Sequence, residues 1–262
     1  MTIPAFLPYF VAAGTAATLI AILYGLNRAL VDANWAPAER TRTLRISAAI
    51  LIGWLVVSIA LSASGIYHVT SGDIPTIQYA ILAPILIGAL LIWRSDMTKR
   101  VIAAVPQPWL VGVQLYRALG VIFLILYANG KLPALFAWPA GVGDVAIGLL
   151  APVIGLAYVR APRKAAALVG LWNVLGILDL TVAVGTGFLT APSRFVPFDV
   201  QPTSELMTVL PMVMIPVYLV PLSVALHLAS LAKLRARSQA TAELPALGRK
   251  PLLIHHNGGL RK

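Results

Sequence analysis

Cysteine is absent from this chain of 262 residues, so disulfides, thiolate nucleophiles and cysteine metal ligands are excluded. Charge is scarce as well. Asp, Glu, Lys and Arg together make up 11% of the residues, and only 9 are acidic. A soluble domain of this length has too much surface to cover with so few charges. Catalytic signatures are also missing. No H-E-x-x-H pattern occurs, and Ser62-Ala63-Ser64-Gly65 lacks the leading glycine of a G-x-S-x-G nucleophile elbow. There is no P-loop and no dinucleotide fingerprint, so ATP-driven or hydride chemistry is not expected from this chain. The four histidines give no haem pair and no metal set: His68 has only Asp73 near it, and His255 and His256 have no further ligands. No cofactor and no metal are therefore expected.

What the chain does have is apolar length. Hydrophobic residues make up 59% and the mean hydropathy is +0.86. Roughly 20 apolar residues are needed to cross the hydrocarbon core of a bilayer. Seven runs meet that length, at about 6–26, 46–67, 77–93, 109–128, 137–159, 165–189 and 205–231. The fold expected is all-α, a polytopic membrane bundle of seven transmembrane helices. It spans residues 1–232 and is followed by a short basic tail, 233–262. No Lys or Arg precedes the first run, so it lacks the charged start of a secretory signal and reads as a retained span. A short interfacial turn is expected at 132–138, and a Pro-rich polar connection at 190–204.

The net charge is +11, which normally points to an anionic partner, but its placement points to orientation instead. Apart from Arg117, Lys131 and Arg194, every Lys and Arg lies in alternate connections or in the tail. Cytoplasmic loops collect positive charge. The N-terminus is thus expected outside and the C-terminus in the cytoplasm of a cell membrane, the inner membrane if the source is bacterial. Tyr9, Tyr67, Tyr79, Tyr127 and Trp138 fall near the outer boundary, and Tyr24, Trp93, Trp109 and Tyr158 near the inner one. The partner is the lipid bilayer, with Lys233, Arg235 and Arg237 as a stop-transfer anchor. Nucleic-acid binding is not expected, and oligomeric state leaves no mark in the sequence.

Pro75-Thr76 with Pro84, and Pro202-Thr203 with Pro211, enter spans three and seven at matching offsets, each after an aspartate, Asp73 and Asp199. Gly53-Trp54 in span two resembles Gly170-Leu171-Trp172 in span six. A parallel 3+1+3 duplication is one reading of these matches, and chance is the other. The layout is similar to that of the SWEET sugar transporters, a similarity of architecture only, because spans one and five hold no Pro-Gln motif. Rhodopsins share the layout too, but 206–231 contains no lysine for a retinal Schiff base.

Ionisable groups at membrane depth are costly, and by default face a partner or water. Span four carries Gln114 and Arg117, span five Asp144, and span six Asn173 and Asp179. At about 1.5 Å of rise per residue, Asp144 and Asp179 lie ~22 and ~21 Å from the inner ends of their spans, and Arg117 ~12 Å. The long arginine can reach up one turn, and consecutive spans pack side by side. One arginine between two aspartates is expected, in the outer half of the bundle. Around Asp144, the small residues Gly141, Gly148, Ala151 and Gly155 share its helical face and suit close helix approach. His227 is placed near the cytoplasmic end of span seven, as an interfacial histidine or a gate on protonation. Pro211, Pro216 and Pro221 allow that span to kink.

Arginine stays protonated and favours at least one ionised aspartate, while a second carboxylate at the same level is repelled and can hold a proton. Two uses fit: a proton or solute site, with Arg117, Asp144, Asp179, Gln114 and Asn173 as binding or relay residues, or a static ion triad that fixes packing. The functions that follow are a small secondary transporter or channel-like carrier; a non-catalytic sensor, assembly factor or partner subunit; and an intramembrane enzyme acting on a lipid or quinone. No catalytic residue stands out.

Overall fold

In the computed structural model the described residues are 4–69, 74–193 and 200–247, with 240–247 as backbone only. Asp73, Arg194, Asp199, His255 and His256 lie outside them. The described residues form helices, turns and irregular segments, without strands. Seven of the helices are long and apolar enough to cross a membrane. They are α1 (Leu7–Asp32), α2 (Pro37–Ala63), α3 (Ile77–Arg94), a fourth span Gln107–Ala128 in three segments, α7 (Ala134–Arg160), α8 (Pro162–Leu189) and the last, Ile215–Gln239. The fourth span consists of α5 (Gln107–Gly112), a 3₁₀ stretch (Val113–Gly120) and α6 (Val121–Ala128). The last consists of a π-turn (Ile215–Leu219) and then α9 (Val220–Leu247).

Proline punctuates the bundle. Pro37, Pro108 and Pro162 sit in the first turns of their helices, where a missing N–H costs nothing. Two helix ends close in left-handed backbone: Gly130 (φ 63) after α6, with Lys131 N–H bonded to Leu126 O, and Asn34 (φ 55) after α1, with Trp35 N–H bonded to Leu30 O. Pro139 and Pro152 lie within α7, which begins at Ala134 and runs unbroken, so the separate interfacial turn expected at 132–138 is not formed. Packing against neighbours lets spanning helices tolerate internal proline.

The first six spans lie close to where hydropathy places them. The seventh does not. Residues 205–231 are mostly apolar, but Glu205–Thr208 is a single 3₁₀ turn and the spanning helix starts only at Ile215. Pro202 and Pro211 interrupt the helical hydrogen-bond ladder of the lead-in segment. The helix then continues past 232 to Leu247. The proposed duplication loses its clearest match here, since Pro84 is inside α3 whereas Pro211 lies in non-helical backbone.

Hydropathy also missed α4 (Asp96–Ala104), a short polar helix capped by Ser95 Oγ, which accepts the Thr98 N–H at 3.2 Å. Arg100 joins it to the α1–α2 corner through Glu39 at 2.7 Å and the Trp35 ring at 4.8 Å. Lys233 Nζ donates to Ile102 O and Ala103 O, so the basic residue assigned to a tail caps the end of α4.

The last span is the most enclosed, with 56% of its apolar window buried against 11% for α2. It therefore forms the axis on which α3, α5 and α8 pack. Isoleucines, leucines and valines cover the outward faces of α2, α3, α7 and α8. Such an apolar exterior suits a helix bathed in lipid.

Candidate functional site

The centre of the bundle is built by close approach. Gly141, Gly148 and Gly155 recur every seventh residue along α7 and face Leu124, Ala118 and Pro108 of the fourth span. A Cβ on Gly148 would come within 2.4 Å of Ala118 N, so backbone lies against backbone. Gly120 leaves room for Asp144. Gly143 leaves room for Asp179, whose Oδ1 would be 1.6 Å from a Cβ there. Gly176 leaves room for the His227 ring. Where the expected small-residue face of α7 meets the fourth span, Asp144 arrives beside Arg117.

Arg117 is 3% exposed, and its guanidinium organises the site. Nε donates to Asp144 Oδ1 at 2.8 Å, Nη2 to Asp179 Oδ2, and Nη1 to Gly176 O at 3.2 Å and His227 Nε2 at 3.1 Å. Four of its five N–H groups are thus accounted for. With both carboxylates ionised the triad carries one net negative charge.

His227 corrects the sequence reading. It is fully buried rather than interfacial, because the last span begins at Ile215 and the residue falls within it. Its tautomer follows from its partners. Arginine only donates, so Nε2 must accept, and the proton sits on Nδ1. Nδ1 then donates to Asn173 Oδ1 at 2.9 Å. Asn173 Nδ2 passes the direction on, donating to Val169 O at 2.7 Å and Ser230 Oγ at 2.8 Å, and Gln107 Nε2 donates to the same hydroxyl at 2.6 Å. A chain of buried polar groups therefore runs from the two aspartates to the start of the fourth span. It includes Ser230 and Gln107, which no pattern in the chain singles out. An amide in the chain holds its protons, so Asn173 orients His227 and does not relay.

This direction is testable. His227→Gln keeps one acceptor and one donor, whereas His227→Phe leaves Arg117 and Asn173 each short of a partner. Each buried polar group left unpaired costs about 1–3 kcal/mol. The Phe variant is expected to lower the thermal midpoint of the purified protein clearly, and the Gln variant much less.

Gln114 is buried but stands apart from the triad, donating to Ser223 O at 3.1 Å. Its neighbour Tyr116 contacts Ser223 Oγ and Leu219 O. These side chains from the 3₁₀ stretch thus bond backbone carbonyls at and just beyond the π-turn. Runs of 3₁₀ helix beyond three or four residues are uncommon, and such segments and π-turns often occur at functional hinges.

Two hollows converge on Asp144. The larger, about 70 Å³, is lined by Val69, Pro75, Ser204 and Thr208 at one end and by Asp144 at the other. The smaller, about 50 Å³, runs beneath α1 past Phe10 and Gly14 and includes Tyr116 and Arg117. Asp144 is 13% exposed at its side chain. Among the described residues no hydrogen bond reaches its Oδ2.

No curated protein and no solved structure matches the chain. Residues 74–235, which carry spans three to seven and the whole polar network, match a domain of unknown function, DUF8737, and the chain belongs to that family.

Proposed function

We propose that the protein is a small carrier of a cell membrane, with its N-terminus outside and its C-terminus in the cytoplasm. The Arg117–Asp144–Asp179 centre is its solute or proton site. One observation carries this reading: Asp144 lines both hollows, and Asp179 lines neither. Asp144 is therefore the place where a bound group meets the charge. With the charge bias of the connections, the larger hollow faces outside. The 3₁₀ stretch and the π-turn are the elements that would move.

A second reading is a non-catalytic membrane component in which the triad only fixes packing. It draws on the near-complete satisfaction of Arg117 within the protein. Proteoliposomes containing a trapped pH dye separate the two. A panel of amines, sugars and carboxylates is added outside. The carrier reading expects at least one to drive proton movement in the native protein, with the signal lost in Asp144→Asn and reduced in Asp179→Asn. Silence from the whole panel, with the native protein inserted and folded, favours the packing reading.

A further inference from the structure

The larger hollow has a lining chemistry that selects its ligand, if the Asp144 cavity is a ligand site as proposed above. Its walls are mainly aliphatic and aromatic, with Phe123, Phe136 and Phe188 among them. Phe123 and Phe136 meet edge to face at 5.4 Å between ring centres. Among the described residues its lining contains one ionisable side chain, Asp144. Arg117 borders the smaller hollow but not this one. The two hydroxyls of the lining already donate to carbonyls, Ser204 Oγ to Gly187 O at 2.7 Å and Thr208 Oγ1 to Glu205 O at 2.8 Å. Among the described residues, the side chains of the cavity thus present a carboxyl group and aromatic faces, and no free side-chain donor.

An anionic ligand would meet the Asp144 carboxyl group and, among the described residues, find no free side-chain donor to pair with. A sugar would bury many hydroxyls against hydrocarbon, at a cost for each one left unpaired. A cation on an apolar body fits each feature: an N–H donates to Asp144 Oδ2, which accepts no hydrogen bond from the described residues, and the rings attract the charge.

We infer that the cavity between α3, α7, α8 and the last span is a binding site for amphipathic organic cations, with Asp144 as the anionic anchor. Because the same carboxylate can hold a proton, cation and proton compete for it. Cation binding therefore weakens as the pH is lowered through the titration of that site.

A matched set of ligands tests this: 2-phenylethylamine, 2-phenylethanol and phenylacetate, which place an ammonium, a hydroxyl and a carboxylate on one aromatic body. Binding is measured by calorimetry on the full chain in lipid nanodiscs, with empty nanodiscs subtracted. The amine is expected to bind at least tenfold more tightly than the alcohol, and phenylacetate not detectably. Asp144→Asn is expected to erase the preference. Val184→Trp narrows the hollow without touching the triad and is expected to weaken the amine and the alcohol alike, which keeps the test valid should Asp144→Asn misfold. Equal affinity for amine and alcohol, preference for the carboxylate, or no binding of any of the three overturns the inference. The carrier reading is decided separately. Tight amine binding without flux removes the carrier and leaves the cation site, whereas flux of sugars or carboxylates without amine preference does the reverse.

Discussion

Arg117→Ala is expected to leave little folded protein, at a cost of about 3–5 kcal/mol. The guanidinium pairs with both Asp144 and Asp179, is buried, and among the described residues is the one positive charge bonded to them. Removing it strands two carboxylates together in a low-dielectric interior, where each repels the other and neither has a counter-charge. It also leaves Gly176 O and His227 Nε2 without the donor they share. Arg117→Lys is expected to rescue only in part, because a single ammonium cannot place donors on four partners in fixed directions. The informative comparison is the charge-free triple variant Arg117→Gln, Asp144→Asn, Asp179→Asn. Breaking a buried pair costs far more than removing it whole. The triple variant is therefore expected to recover much of the thermal midpoint lost in Arg117→Ala. Thermal melts of detergent-purified protein check the order: native, then triple variant, then Arg117→Ala.

The second large effect belongs to a residue with no side chain. Gly148→Ala is expected to destabilise by about 1–3 kcal/mol, towards the upper end, because the added methyl meets Ala118 N and Arg117 C of the facing backbone rather than a side chain that can turn away. Helix α7 would have to move off the fourth span, which would pull Asp144 from Arg117 as well. Function and stability should thus fall together. Gly170→Ala in α8 is the control. A Cβ there meets nothing within 4 Å, and replacing a helical glycine by alanine is expected to help by about 0.5–1 kcal/mol. Melting the two variants side by side separates close packing from helix propensity.

Both predictions concern residues whose importance was partly legible in the chain. Arg117, Asp144 and Asp179 stand out because charge is so rare in apolar runs, and the rise per residue places the two aspartates at one level. The glycine face of α7 follows from helical periodicity. Composition could not place the last span. The segment from Leu206 to Ile215 is as apolar as the helix after it, and only the local effect of Pro202 and Pro211 decides where the helix begins. That shift carried His227 from an expected interface into the centre of the network. It also turned Lys233 from a tail residue into the cap of α4. Ser230 and Gln107 were hidden for another reason. They are uncharged, and their role depends on which helices face each other, a fact of tertiary packing that no single span records. The 3₁₀ stretch around Arg117 has no proline to announce it and becomes visible only in the backbone.

The absence of cysteine now becomes an advantage, because a single introduced thiol has no background. Ala140 lies one turn before Asp144 on α7, is fully buried and lines the larger hollow. Ala151, on the same helix and equally buried, packs in a separate apolar cluster with Val111 and Trp172. The central claim is that a passage leads to Asp144. It is tested most directly by labelling Ala140→Cys and Ala151→Cys in sealed, right-side-out vesicles with a small cationic methanethiosulfonate reagent. The account predicts that the thiol at 140 reacts from outside, that 2-phenylethylamine slows the reaction, and that the thiol at 151 stays unmodified. Equal resistance at both positions would contradict it, as would labelling at 140 that the amine leaves unchanged.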